Sequence, residues 1–131
     1  MLRLRMMRAP QKYVQGKNSL LQFHKEMESL GDKWLFICSR SGYKMTHDKI
    51  EKSFEGTQDV RQYEIFGGVS STGEIERMRK IVRDKGLNVV VGVGGGSAID
   101  TAKATAYYEK LPVVIVPTVV ATDAPCTGLS V

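Results

Sequence analysis

The chain reads as α/β, a parallel sheet with helices on both faces, and three observations carry that reading. Trp34-Leu35-Phe36-Ile37-Cys38 is a continuous apolar run, as expected of a strand buried on both faces of a parallel sheet. Val89-Val90-Val91 and Val113-Val114-Ile115-Val116 are β-branched runs flanking a helix of about a dozen residues, the pattern of a right-handed βαβ crossover. Between them Gly94-Gly95-Gly96 supplies the tight turn that such a crossover needs. The class is therefore Rossmann-like, and at 131 residues one domain should bury roughly two-thirds of the unfolded chain's surface.

Each element can be read in turn. Arg3, Arg5, Arg8, Lys12, Lys17 and Lys25 all precede the first acidic residue, Glu26. A basic tail over 1–10 leading into a strand accounts for this better than a cleavable targeting peptide before Pro10. Leu20, Leu21, Phe23, Met27 and Leu30 recur at near-helical spacing, with Gly31 where a cap would stand. Arg40-Ser41-Gly42 is expected to close the Trp34–Cys38 strand, and Thr46 to Phe54 to form the next helix. Val60 to Phe66 is expected to be a second buried strand, ended by Gly67-Gly68. Ser71 with Glu74 makes a capping box, Ile75, Met78, Ile81 and Val82 form one stripe, and Gly86 supplies a left-handed stop. Repeats, low-complexity tracts and linkers are absent from the sequence, so nothing divides it.

Composition narrows the function. A hydrophobic fraction of 42% with 25% charged residues is ordinary for a globular domain, and no apolar run approaches the roughly 20 residues of a membrane helix. The net charge of +5 is dispersed and only 8% of residues are aromatic, which argues against nucleic acid and leaves a phosphate-bearing small molecule or a solvated basic surface. Cys38, Cys126, His24 and His47 lack zinc spacing, and two cysteines suit a reduced, cytoplasmic setting.

The glycine turn carries the sharpest chemistry. Backbone N–H groups at a helix start are unpaired and lie at the positive end of the helix dipole, and glycines let a pyrophosphate approach them. Gly94, Gly95 and Gly96 provide that surface, with Ser97 and Asp100 expected to cap the helix and Ala98, Ile99, Ala102 and Ala106 to pack on the sheet. The pattern is Gly-x-Gly-x-x-Ser, short of the full dinucleotide fingerprint, and no Gly-Lys-Ser/Thr makes it a Walker A loop.

The order of this turn, a β-branched strand, Pro117-Thr118 and Thr122-Asp123-Ala124-Pro125-Cys126, together with the opening at Lys12-Tyr13, resembles the nucleotide-binding half of the iron-containing alcohol dehydrogenase family, and within it the glycerol dehydrogenases. The resemblance implies NAD or NADP as cofactor, with Gly95, Gly96, Ser97 and Asp100 at the pyrophosphate turn, Thr118 and Ala121 along the nucleotide, and Thr127 and Leu129 nearer the nicotinamide. It implies that Asp123 faces a polyol substrate, the alternative being an Asx-turn before Pro125. Ser39-Arg40 stands where NAD-binding relatives commonly place an acid for the adenosine ribose, and Ala121 where glycerol dehydrogenases often carry a Ser. A Ser and an Arg would accept a 2′-phosphate that an acid repels, unless Arg40 is simply solvated.

The family's metal, zinc or iron, binds the alcohol oxygen and lowers its pKa. Its Asp and two His ligands belong to a helical domain expected beyond Val131, and neither His24 nor His47 matches them. The resemblance implies a homo-oligomeric oxidoreductase of which these 131 residues alone are catalytically incomplete. A stand-alone nucleotide-binding or assembly module is the alternative.

Overall fold

The computed structural model describes residues 11–13, 18–67 and 71–118. Within them five strands form one sheet in the order β1-β5-β4-β2-β3: β1 Gln11–Tyr13, β2 Lys33–Cys38, β3 Val60–Ile65, β4 Val89–Gly94 and β5 Val113–Pro117. Every pairing is parallel. The helices are α1 Phe23–Met27, α2 Arg40–Ser53, α3 Thr72–Lys85 and α4 Gly96–Glu109. No helix among the described residues is long and apolar enough to cross a membrane.

Strand alternation sorts the core into two layers. Trp34, Phe36, Cys38, Val89, Val91, Val93, Val114 and Val116 face α1 and α2, meeting Phe23, Met27, Ile50 and Phe54. Leu35, Ile37, Val90, Val113 and Ile115 face α3 and α4, meeting Met78, Val82, Ala98, Ala102 and Ala106. Both faces are dry, so β2 and β4 read as continuous apolar runs. The first layer contains a cluster of rings: Phe23, Trp34, Phe36 and Phe54 have ring centroids 5.5 to 6.3 Å apart, and burying each such ring is worth about 1.5–3 kcal/mol. Trp34 keeps its one polar atom satisfied by donating Nε1–H to Asp59 at 2.9 Å.

Several expectations need correction. The Leu20–Leu30 segment is no single helix: 3₁₀ turns at Asn18–Gln22 and Glu28–Leu30 flank a short α1. Gly31 is extended, with φ 164°, and is required instead by a close approach, since a Cβ there would lie 2.4 Å from Asn88 Oδ1. The second helix starts at Arg40 and not at Thr46, because the Ser39 hydroxyl accepts from the Gly42 N–H at 2.9 Å and turns Arg40-Ser41-Gly42 into the first helical turn. The Val60–Phe66 segment is an edge strand among the described residues, with Val60 and Ile65 exposed and only its β2 side paired. At α3 Ser71 caps the Glu74 N–H and Gly86 is left-handed as expected, but the Glu74 carboxylate turns to the Gly67 N–H and Arg77.

Helix α4 packs directly on the backbone of β4. A Cβ at Gly92 would lie 2.7 Å from the Ala102 Cβ and 3.3 Å from the Ile99 Cα, so that only glycine on β4 and small residues on α4 permit the contact. Gly92→Ala should destabilise the fold by about 1–3 kcal/mol through overpacking. A urea melt checks it: an unchanged midpoint would mean that α4 does not rest on the β4 backbone.

Candidate functional site

Strands β2 and β4 are neighbours, yet the chain leaves them in opposite directions. After β2 it enters α2 on the aromatic face; after β4 it enters α4 on the other. Loops that diverge this way open a crevice outside the carboxyl ends of the strands, the general ligand position in open α/β sheets. A cleft of about 390 Å³ lies there, lined by Ser39 and Arg40 after β2, Phe66 and Gly67 after β3, and Gly95, Gly96, Ser97 and Ala98 after β4.

The glycines of the turn do different work. Gly94 has φ +140°, and a Cβ on it would lie 2.5 Å from Ser39 Oγ, so the fold itself demands glycine. Gly95 and Gly96 have no positive φ, and a Cβ on either would meet nothing within 4 Å. Their bareness leaves the cleft open. Helix α4 begins at Gly96 with Gly95 as its cap, no side chain caps it, and its first turn holds no acid. The expected Ser97–Asp100 cap is therefore not formed: the helix starts before Ser97, which puts Ser97 and Asp100 inside it, both exposed. The first N–H groups of a helix have no intrahelical partner, and here they face the cleft with the positive end of the dipole behind them.

A second recess of about 500 Å³ adjoins the cleft and shares Arg40 with it; Tyr43, Lys44, Tyr63 and Ile65 complete its lining. Its floor is fixed. Tyr63 stacks on Phe36 at 4.6 Å and donates its hydroxyl to Glu51 at 2.7 Å, and Tyr43 meets it edge-on at 5.6 Å. Glu51 also takes two bonds from the Arg61 guanidinium, at 2.7 and 3.0 Å. Arg61 holds the Glu51 carboxyl below its ordinary pKa, while burial and then the Glu51 bond push the Tyr63 phenol up. Cys38, at the end of β2, is pushed up to about 12 by burial, which keeps it an inert thiol.

The cleft thus brings Ser39, Gly95, Gly96 and Ser97 together. Thr118 joins them through its backbone, donating N–H to the Gly94 carbonyl at 3.0 Å. Asp100 lies one turn further along α4, outside the lining, and Ala121, Asp123, Thr127 and Leu129 lie outside the described residues. Phe66, Gly67 and the Tyr43–Lys44 pair were not singled out from sequence; recognising Ser39 as the cap of α2 would have put Arg40 and Lys44 one turn apart on one helix face.

Among the described residues no three His, Cys, Asp or Glu side chains cluster as a metal site. His24 Nε2 is 3.2 Å from Asp59 and His47 Nδ1 is 3.2 Å from Asp48, each on its own element.

The model of the iron-containing alcohol dehydrogenases matches residues 10–131. The chain belongs to the iron-containing alcohol dehydrogenase family. Glycerol dehydrogenase of Pseudomonas putida is 37% identical over 127 residues, covering 97% of this chain and 35% of that protein. Glycerol dehydrogenase of Thermotoga maritima is 39% identical, covering 93% of this chain and 33% of that one. The crystal structure of glycerol dehydrogenase from Schizosaccharomyces pombe superposes with a TM-score of 0.73 at 30% identity, covering 83% of this chain and 28% of that one. This member of the iron-containing alcohol dehydrogenases therefore spans about a third of the length of such relatives.

The Glu51 site makes a pH prediction. Its carboxyl titrates lower folded than unfolded, so its contribution is whole above the unfolded value of about 4.3 and is lost as pH falls through the folded one. Glu51→Gln should therefore be less stable than the parent at pH 7, and the gap should narrow in acid. Equal urea midpoints at pH 7 would show that Glu51 contributes nothing.

Proposed function

We propose that this chain is the nucleotide-binding domain, spanning 1–131 with a basic tail over 1–10, of a metal-dependent polyol oxidoreductase of the glycerol dehydrogenase type. The observation that carries it is the bare pair Gly95 and Gly96 at the uncapped start of α4, inside the crevice. A pyrophosphate fits the space that a side chain would take, and the N–H groups and dipole favour its charge.

NAD or NADP, when bound, supplies the hydride acceptor. Bound there, the oxidised cofactor would accept hydride from the carbinol carbon of a polyol such as glycerol, with the hydroxyl proton passing to solvent, to give dihydroxyacetone. In this reading Gly95, Gly96 and Ser97 hold the pyrophosphate, Thr118 and Ala121 run along the nucleotide, Thr127 and Leu129 flank the nicotinamide, and Asp123 accepts a hydrogen bond from a polyol hydroxyl. The two histidines of the chain sit in separate pairs with Asp59 and Asp48 and do not fit the family's Asp and two His. These 131 residues hold the cofactor and not the metal.

Gly96→Val should abolish dinucleotide binding measured by calorimetry while the thermal transition is retained, since a Cβ at Gly96 meets no protein atom within 4 Å. Unchanged affinity in a folded variant would overturn the phosphate turn. A glycerol assay on the 131-residue chain, with saturating cofactor and added Zn²⁺, should show no turnover, because a carboxylate with an ordinary pKa of about 3.9 is too weak a base to take an alcohol proton unaided. Turnover would place the metal on residues assigned elsewhere here.

A further inference from the structure

We infer that the recess beside the cleft, with Arg40 and Lys44 on its wall, seats the 2′-phosphate of an adenosine ribose, so that the chain selects NADP(H) over NAD(H). The inference rests on the dinucleotide reading and adds the choice between the two.

Charge is the first support. Arg61, Arg77, Arg79 and Arg83 are each paired with a glutamate. Arg40, exposed at the first turn of α2, is the only arginine among the described residues with no carboxylate partner, and Lys44 has none there either. Among the described residues no carboxylate lines the cleft or the recess, and the first turn of α2 holds no acid. A cation at a helix N-terminus opposes the dipole. Helix stability therefore gives no reason for Arg40, whereas a bound anion would be favoured by Arg40, Lys44 and the dipole together.

Position is the second. Arg40 is the one residue common to both cavities, and it follows the carboxyl end of interior strand β2, beside the phosphate turn. In doubly wound sheets an acid near this place bonds the ribose 2′-hydroxyl for NAD, while an arginine accommodates the 2′-phosphate. Here Ser39 and Arg40 follow Cys38, the last residue of the strand, and the Ser39 hydroxyl already accepts from Gly42. Among the described residues, Arg40 with Lys44 one turn on, and the remaining O–H donor of Ser39, are left to read the ribose. Guanidinium geometry suits a phosphate through paired N–H donors.

NADPH and NADH titrated by their own fluorescence, on the parent chain and on Arg40→Ala, Lys44→Ala and Ser39→Asp, test this. The parent should bind NADPH more tightly than NADH. Arg40→Ala should lower the NADPH-to-NADH affinity ratio at least tenfold, with a smaller drop for Lys44→Ala. Ser39→Asp, which keeps a capping side chain, should move the ratio the same way. The melting temperature of Arg40→Ala should not fall, which separates lost recognition from lost fold. A parent that binds NADH more tightly than NADPH, or a ratio that Arg40→Ala leaves unchanged, overturns the inference and leaves the dinucleotide reading standing. A parent that binds neither nucleotide overturns both.

Discussion

Everything at the crevice depends on how closely the ends of β2 and β4 approach. Ser39 donates its N–H to the Val93 carbonyl at 2.9 Å, and its hydroxyl accepts from Gly42 at 2.9 Å. A Cβ at Gly94 or Gly42 would come within 2.5 or 2.8 Å of that hydroxyl. One serine thus caps α2, ties two strands, and needs a glycine on each side. Because α2 and α4 then leave on opposite faces, their N-termini open onto one cleft. Neither turn could be moved without the other.

The sequence made the sheet legible where burial is symmetrical. Trp34–Cys38, Val89–Val91 and Val113–Val116 are strands because both faces are covered, and apolar continuity records that directly. It was less informative at the margins. Val60–Ile65 is a strand whose residues are partly exposed, so its composition could not say that it ends the sheet. The start of α2 was missed because Arg40-Ser41-Gly42 looks like a turn, while the capping bond from Gly42 to Ser39 makes it helical. The Ser97–Asp100 pair looked like a cap, yet the helix begins at Gly96; local chemistry alone could not tell a possible first turn from the actual one.

The candidate site divides in a similar way. Gly94 to Ser97 could be read because glycine runs are rare and their use near phosphate is a matter of backbone geometry. Phe66 and Gly67 could not, since they reach the cleft only through the pairing of β3 with β2. The recess floor was equally hidden: Tyr63, Glu51 and Arg61 join across the space between α2 and β3, and no spacing along the chain announces that meeting.

Helix α4 meets the sheet through Ala98, Ala102 and Ala106, all buried, against β4. Alanine has no side-chain rotamers to lose, so backbone shape alone sets the position of this helix. Its N-terminal dipole is aimed before any ligand arrives. An anion entering the cleft would find donors already oriented, with little reorganisation entropy to overcome at that wall. The long, rotatable side chains of Arg40, which lines the cleft, and Lys44, in the adjoining recess, carry no such advantage. The crevice accordingly joins a rigid anchor to an adjustable one, and any freezing of motion on binding would be concentrated on the α2 side.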